Sequence, residues 1–197
     1  MVLRFLLRGG IYILFLVSVI VGWLLRRRSQ KNKPDSVRPV IIPEQPSEAL
    51  QHRQWQVRLQ AVQNLAQQPL QTALPALLTA LCDPDSDVRE AAIHIVSGYG
   101  QAAVVPLLNL LETGTRDARE AAAQALREIA DPSAIPGLTA ALHDESAWVR
   151  QQAARALGVI QQDEAAEALS QALEMEQDAD VKHVIQASLS QMSNTHS

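Results

Sequence analysis

Along residues 47–193 apolar positions recur at helical spacing, and the register itself repeats. Aligning Val57-Arg58, Val88-Arg89, Ala118-Arg119, Val149-Arg150 and Val181-Lys182 places the basic residues 31, 30, 31 and 32 positions apart. Three residues on stand Ala61, Ala92, Ala122, Ala153 and Ile185; seven on, Leu65, Val96, Leu126, Leu157 and Leu189; ten on, Gln68, Tyr99, Ile129, Ile160 and Met192. Offsets of 3, 7 and 10 trace one face of an α-helix. Small residues in the first column let neighbouring helices approach closely.

A second helix precedes each of the later four. Leu74-Pro75-Ala76-Leu77-Leu78, Val105-Pro106-Leu107-Leu108 and Ile135-Pro136-Gly137-Leu138 recur at the same interval, and Ala166-Glu167-Ala168-Leu169 is a copy without the proline. Proline is tolerated in a first helical turn, where its missing N–H has no partner to lose, so each proline is expected to mark a start. Asp87 with Glu90 and Asp117 with Glu120 have capping-box spacing and are expected to open second helices. Gly98, Gly100 and Gly158 fall where second helices should end. The unit is helix, turn, helix in about thirty residues, and it cannot bury its apolar face without stacking on its neighbours. The expected fold is all-α: a right-handed solenoid of four two-helix repeats over residues 47–193. A partial first repeat with a short helix from Ser47 leads it, and a disordered tail over 194–197 follows.

A different pattern precedes the repeats. Residues 9–25 contain no charge, and seventeen helical residues span about 25 Å. Extending back to residue 3 gives enough length for a membrane span over residues 3–25, because Arg4 and Arg8 can snorkel towards headgroups. Tyr12 and Trp23 lie near the two ends. A cleaved secretory signal would end in a small-residue cleavage site, whereas this run ends in Trp23-Leu24-Leu25-Arg26-Arg27-Arg28. The expectation is therefore a single-pass anchor with its basic flank, residues 1–28. The larger basic cluster, Arg26 to Arg28 with Lys31 and Lys33, keeps the repeat domain on the cytoplasmic side. Pro34, Pro39, Pro43 and Pro46 make residues 29–46 an extended linker, about 55 Å in polyproline form.

The pattern Leu-Pro-x-Leu-Leu…Leu-x-Asp…Val-Arg-x-x-Ala resembles HEAT repeats, and its short spacing looks most like the HEAT-like subclass of phycobilisome lyase subunits. The resemblance covers about residues 47–193. It implies a fold more than a function, because such repeats serve unrelated tasks. It also implies a ladder in which an Asp six residues before the Arg locks successive turns. Asp83 with Arg89 and Asp144 with Arg150 match. Thr113 before Arg119, Glu176 before Lys182 and His52 before Arg58 interrupt or alter it.

Charge narrows the function. Residues 1–46 hold eight basic and two acidic residues, 8 − 2 = +6, and residues 47–197 hold nine basic and nineteen acidic, 9 − 19 = −10. A domain so acidic repels a phosphate backbone, so no nucleic-acid binding is expected. Cys82 is the sole cysteine, which excludes an intrachain disulfide. None of His52, His94, His143, His183 and His196 is followed by Glu, unlike the paired His-Glu ligands of the HEAT-like deoxyhypusine hydroxylase, and no metal or cofactor is expected. No phosphate loop or nucleophile-elbow motif occurs.

What remains is a surface. One, five and eight residues after each Arg lie Glu90, His94 and Ser97; Glu120, Gln124 and Arg127; Gln151, Arg155 and Gly158. Side by side they would line a groove for a partner. Trp148 stands where the flanking repeats have Asp87, Asp117 and Asp180, either as an exposed anchor or packed over a neighbouring repeat, and Trp55 caps the open end. The expected function is a membrane-tethered, non-enzymatic scaffold that binds a protein partner through Glu90, His94, Glu120, Gln124, Arg127, Trp148, Gln151 and Arg155. The resemblance supports an alternative, a chromophore-lyase-like subunit or related phycobilisome factor. A structural subunit of a larger membrane complex is a further possibility.

Overall fold

The computed structural model describes residues 46–195, and every described element is helical. The expected span over residues 3–25 and almost all of the linker lie outside the described residues. Among the described residues no helix is long and apolar enough to cross a membrane.

The chain opens with a short turn of helix, α1 (Pro46–Ala49), and α2 (Trp55–Leu65). Four helix pairs follow: α3 (Leu70–Ala80) with α4 (Ser86–Ser97), α5 (Val104–Thr113) with α6 (Arg116–Ile129), α7 (Ile135–Ala141) with α8 (Ala147–Ile160), and α9 (Asp163–Met175) with α10 (Ala179–Thr195). Helix α10 thus continues to Thr195. The second helices pack in series, α2 on α4, α4 on α6, α6 on α8 and α8 on α10, while α5, α7 and α9 form a parallel layer of first helices. This is an α-solenoid of stacked helical pairs.

The repeating columns explain the stacking. Ala61, Ala92, Ala122 and Ala153 are buried, so α2, α4, α6 and α8 meet across side chains that end at Cβ. One turn on, Leu65, Val96, Leu126 and Leu157 fill the space between layers with Leu77, Leu107, Leu138 and Leu169 from the first helices. Each such leucine contributes about 1.5–3 kcal/mol by leaving water. Tyr99 is more specific: its hydroxyl donates to the Gln68 carbonyl at 2.6 Å, beyond the end of α2, and ties one repeat to the one before.

Helix boundaries differ in places from the expected ones. The side-chain caps sit four residues before the basic column, not two. Asp85 accepts from the Asp87 and Val88 N–H groups, and Thr115 from Ala118. A cap must have extended backbone geometry, as Asp85 does, whereas Asp87 is already in the first turn and only favours the positive end of the helix dipole there. Pro75 lies a turn inside α3, which starts after Pro69. Pro106 and Pro136 do lie in first turns. Gly158 ends nothing: α8 runs on to Ile160 and stops at Gln161, whose φ is 56°. Gly100 and Ala130 hold the same place after α4 and α6, with φ of 57° and 53°. Left-handed geometry at that register ends α6 and α8 directly and follows α4 after a short turn, and only one of the three residues is glycine.

The ladder exists, but it runs between repeats. Arg58 Nε and Nη2 donate to the two carboxylate oxygens of Asp83 at 2.7 and 2.8 Å, while Nη1 donates to the His52 carbonyl of its own repeat. Arg119 grips Asp144 in the same way at 2.7 and 3.0 Å, with Nη1 on the Gly114 carbonyl. Arg150 grips Glu176 at 2.7 and 3.0 Å, with Nη1 on the Asp144 carbonyl. Each carboxylate also accepts backbone N–H groups of its own turn, from Asp85, Ser146, and Gln177 with Asp178 respectively. An acid six residues before one arginine therefore serves the arginine of the preceding repeat. Fork-on-fork geometry between largely buried partners makes these strong clamps. Hydrogen bonding to the acid raises the proton affinity of all three guanidinium groups.

Arg150 holds the Glu176 carboxyl below its ordinary range. The unfolded chain therefore takes up that proton first. The stabilisation is complete above the ordinary glutamate range and is lost as pH falls through the lower folded value. Glu176→Gln is expected to flatten the acid limb of stability between about pH 5 and 3, read as unfolding midpoint against pH; an unchanged slope would show that the clamp carries no pH-dependent stability.

At Gly158 an added Cβ would lie 2.7 Å from Ser188 Cβ and 3.2 Å from its Cα, because α10 crosses α8 there. Gly158→Ala is expected to destabilise. Overpacking costs about 1–3 kcal/mol, against roughly 1 kcal/mol gained from alanine's helix propensity. Denaturant titration measures the balance, and a net gain would show that α10 yields freely.

Candidate functional site

The exposed sides of α4, α6, α8 and α10 lie next to one another because those helices stack in series, and the predicted groove residues divide between two depressions. The first, about 320 Å³, lies between α4 and α6 and brings Glu90, Glu120 and Gln124 together with Arg89, Arg116 and Asp117. The second, about 400 Å³, spans α6, α8 and α10 and brings Arg127 and Arg155 together with His183.

The remaining predicted residues stand apart. His94 is exposed, with Nδ1 3.4 Å from a Glu128 carboxylate oxygen. Gln151 is only 8% exposed and so offers little surface; the register points it into the packing between second helices. Ser97 turns back on its own helix, donating to the Ile93 carbonyl at 2.7 Å, and Gly158 lies under Ser188. Trp148 is 56% exposed in the first turn of α8, the anchor geometry of its two alternatives, and lies in neither depression. Trp55 is 36% exposed at the start of α2.

Arg89, Arg116 and His183 were not foreseen as site residues. The signal for Arg89 lay in the ladder column. Thr113 occupies the place of Asp83, Asp144 and Glu176, so the arginine that loses its carboxylate is Arg89, one repeat earlier, and not Arg119. Arg89 keeps only the inner contact, Nη1 to the Asp83 carbonyl at 2.7 Å. Arg89 also lines the first depression, where Arg116 pairs with its neighbour Asp117 at 2.9 Å. For His183 only its place after the basic column marked it.

Cys82 ends α3. Its Sγ donates to the Leu78 carbonyl at 3.5 Å, and burial pushes the thiol above its ordinary range, the reverse of what an activated nucleophile needs. Among the described residues no three His, Cys, Asp or Glu side chains converge as a metal site would require.

The family model for HEAT repeats matches residues 44–127 and 104–190. The chain belongs to the HEAT-repeat family. It is 38% identical over 103 residues to phycocyanobilin lyase subunit beta of Pseudanabaena tenuis, covering 52% of this chain and 36% of that protein. It is 36% identical over 111 residues to the bilin biosynthesis protein PecE of Nostoc sp. PCC 7120, covering 55% and 44%. The chain thus spans less than half the length of these relatives. Among solved structures, the complex of CpcE and CpcF of phycocyanin lyase from Nostoc sp. PCC 7120 superposes with a TM-score of 0.53 at 24% identity, over 83% of this chain and 69% of the other; this likeness concerns the fold alone.

Two expectations are corrected by these findings. The non-enzymatic reading is overturned by relatives named for lyase activity and bilin biosynthesis. The single-pass placement with a cytoplasmic repeat domain is overturned as well. The matched relatives are named as lyase subunits, and no helix among the described residues is long and apolar enough to cross a membrane.

The broken clamp yields a test. Thr113→Asp should complete the ladder and stabilise the fold by about 1–2 kcal/mol in denaturant unfolding. No gain would mean that Arg89 does not reach across to that turn.

Proposed function

We propose that this chain is a chromophore-lyase-type subunit that handles a linear tetrapyrrole together with a second protein subunit. The observation that carries the proposal is the 38% identity over 103 residues to a protein named as one subunit of a phycocyanobilin lyase. Support comes from the exposed sides of the second helices, where a polar depression lies between α4 and α6 and a basic, partly apolar one spans α6, α8 and α10. Partial burial holds the exposed Cys82 above the ordinary thiol range, which favours a reading without a covalent intermediate on this chain. The chain's part is to bind and orient the chromophore or its carrier, with the new bond forming on the acceptor protein. Trp148, as an exposed indole, and the Glu90, His94, Glu120 and Gln124 surface are the proposed contacts to the second subunit. Large aromatic anchors dominate such interfaces. That the relative is called a subunit, and that CpcE and CpcF form a complex, support a second protein subunit as partner.

The test is reconstitution. The full chain, phycocyanobilin and apo-phycocyanin are mixed with and without each second HEAT-repeat lyase subunit of the same host. Covalent pigment is read by zinc-enhanced fluorescence on a denaturing gel. Attachment at least about tenfold faster than the spontaneous reaction, a lowering of the barrier by roughly 1.4 kcal/mol or more, is expected. Attachment unaffected by the chain in every combination would overturn the proposal.

A further inference from the structure

Five of the nine basic residues of this acidic domain are held by local acids or carbonyls; of the four whose side chains are not so held, Arg53, Arg127, Arg155 and Lys182, two line the same space. Arg58, Arg119 and Arg150 are consumed by the clamps, Arg116 by Asp117, and Arg89 in part by a carbonyl. The side chains of Arg127 on α6 and Arg155 on α8 make no hydrogen bond or ion pair with any described residue. Both are half-buried, and both line the depression of about 400 Å³ that His183 on α10 completes. No Asp or Glu lines it. Two guanidinium groups turned to one space without a counter-ion repel each other, and in a domain carrying 9 − 19 = −10 acids are otherwise abundant. The fold concentrates positive charge here and withholds the acids that neutralise it elsewhere.

The chemistry of the walls narrows the ligand. A guanidinium presents N–H donors in a planar fork that matches a carboxylate. Val159, Val184 and Ala187 contribute apolar surface beside the cations, and Val159 is 40% exposed. A small bare anion would leave that surface wet. A carboxylate carried on an apolar body would cover it, which is the usual composition of a small-molecule site: apolar walls with a few placed polar groups.

We infer that Arg127, Arg155 and His183 form a subsite for organic carboxylates and that its occupant is the pair of propionate groups of a linear tetrapyrrole. The occupant rests on the lyase reading above; the subsite rests on the geometry alone.

The experiment titrates the full chain with biliverdin and with biliverdin dimethyl ester, following absorbance. The ester keeps the tetrapyrrole body and removes both charges. The wild type is expected to bind the free acid at least about tenfold more tightly than the ester. Arg127→Gln/Arg155→Gln should abolish that preference and leave ester affinity unchanged, and Arg127→Lys/Arg155→Lys should restore part of it. Equal binding of acid and ester by the wild type, or a preference that survives in the glutamine variant, overturns the inference. A second arm uses glutarate, which contains no tetrapyrrole, and follows the arginine Nε–Hε signals by NMR. If neither pigment binds but glutarate saturably shifts Arg127 and Arg155, the carboxylate subsite stands and the lyase reading falls. If glutarate moves neither signal, the subsite itself is refuted.

Discussion

Successive repeats are joined by an arginine fork that holds its own turn by a backbone carbonyl and the next turn by a carboxylate. Three such clamps form, at Arg58 with Asp83, Arg119 with Asp144 and Arg150 with Glu176. The helix contacts around them are alanine and leucine surfaces, which favour stacking but discriminate weakly between registers. A bidentate ion pair has a direction as well as an energy. It sets which residue of one turn faces which residue of the next, and so aligns the second helices whose exposed sides carry the candidate site.

The same device explains the uneven charge on that surface. Where the carboxylate is missing, at Thr113, Arg89 keeps its carbonyl contact and lines a depression shared with Glu90 and Glu120. Further along, Arg127 and Arg155 project from the later turns of α6 and α8, beyond the reach of the clamping acids. An acidic solenoid thereby presents a mixed depression at one place and a purely basic one at another.

Much of the fold was legible because solenoid packing is local. The columns at Ala61, Leu65 and their counterparts recur at a fixed spacing, and all of them but the partly buried Leu189 lie in the core. Helix ends were less legible. Asp87 and Asp117 satisfy a spacing rule, but capping is decided by which residue has extended backbone geometry, and that falls to Asp85 and Thr115. Gly158 has the right residue type for a terminator and is instead the place where Ser188 of another helix needs room.

The sequence by itself determined the helical register, the repeat length and the set of arginines and acids available for pairing, because a helix's periodicity follows from its own residues. Only the tertiary structure decided the pairing itself. Asp83 is six residues from Arg89 yet its carboxylate serves Arg58, twenty-five residues away. It likewise decided that Gln151 is buried while Arg127, Arg155 and His183, from three different helices, share one depression. Which side chains meet across stacked helices depends on the offset between repeats, and that offset is a property of the packed array.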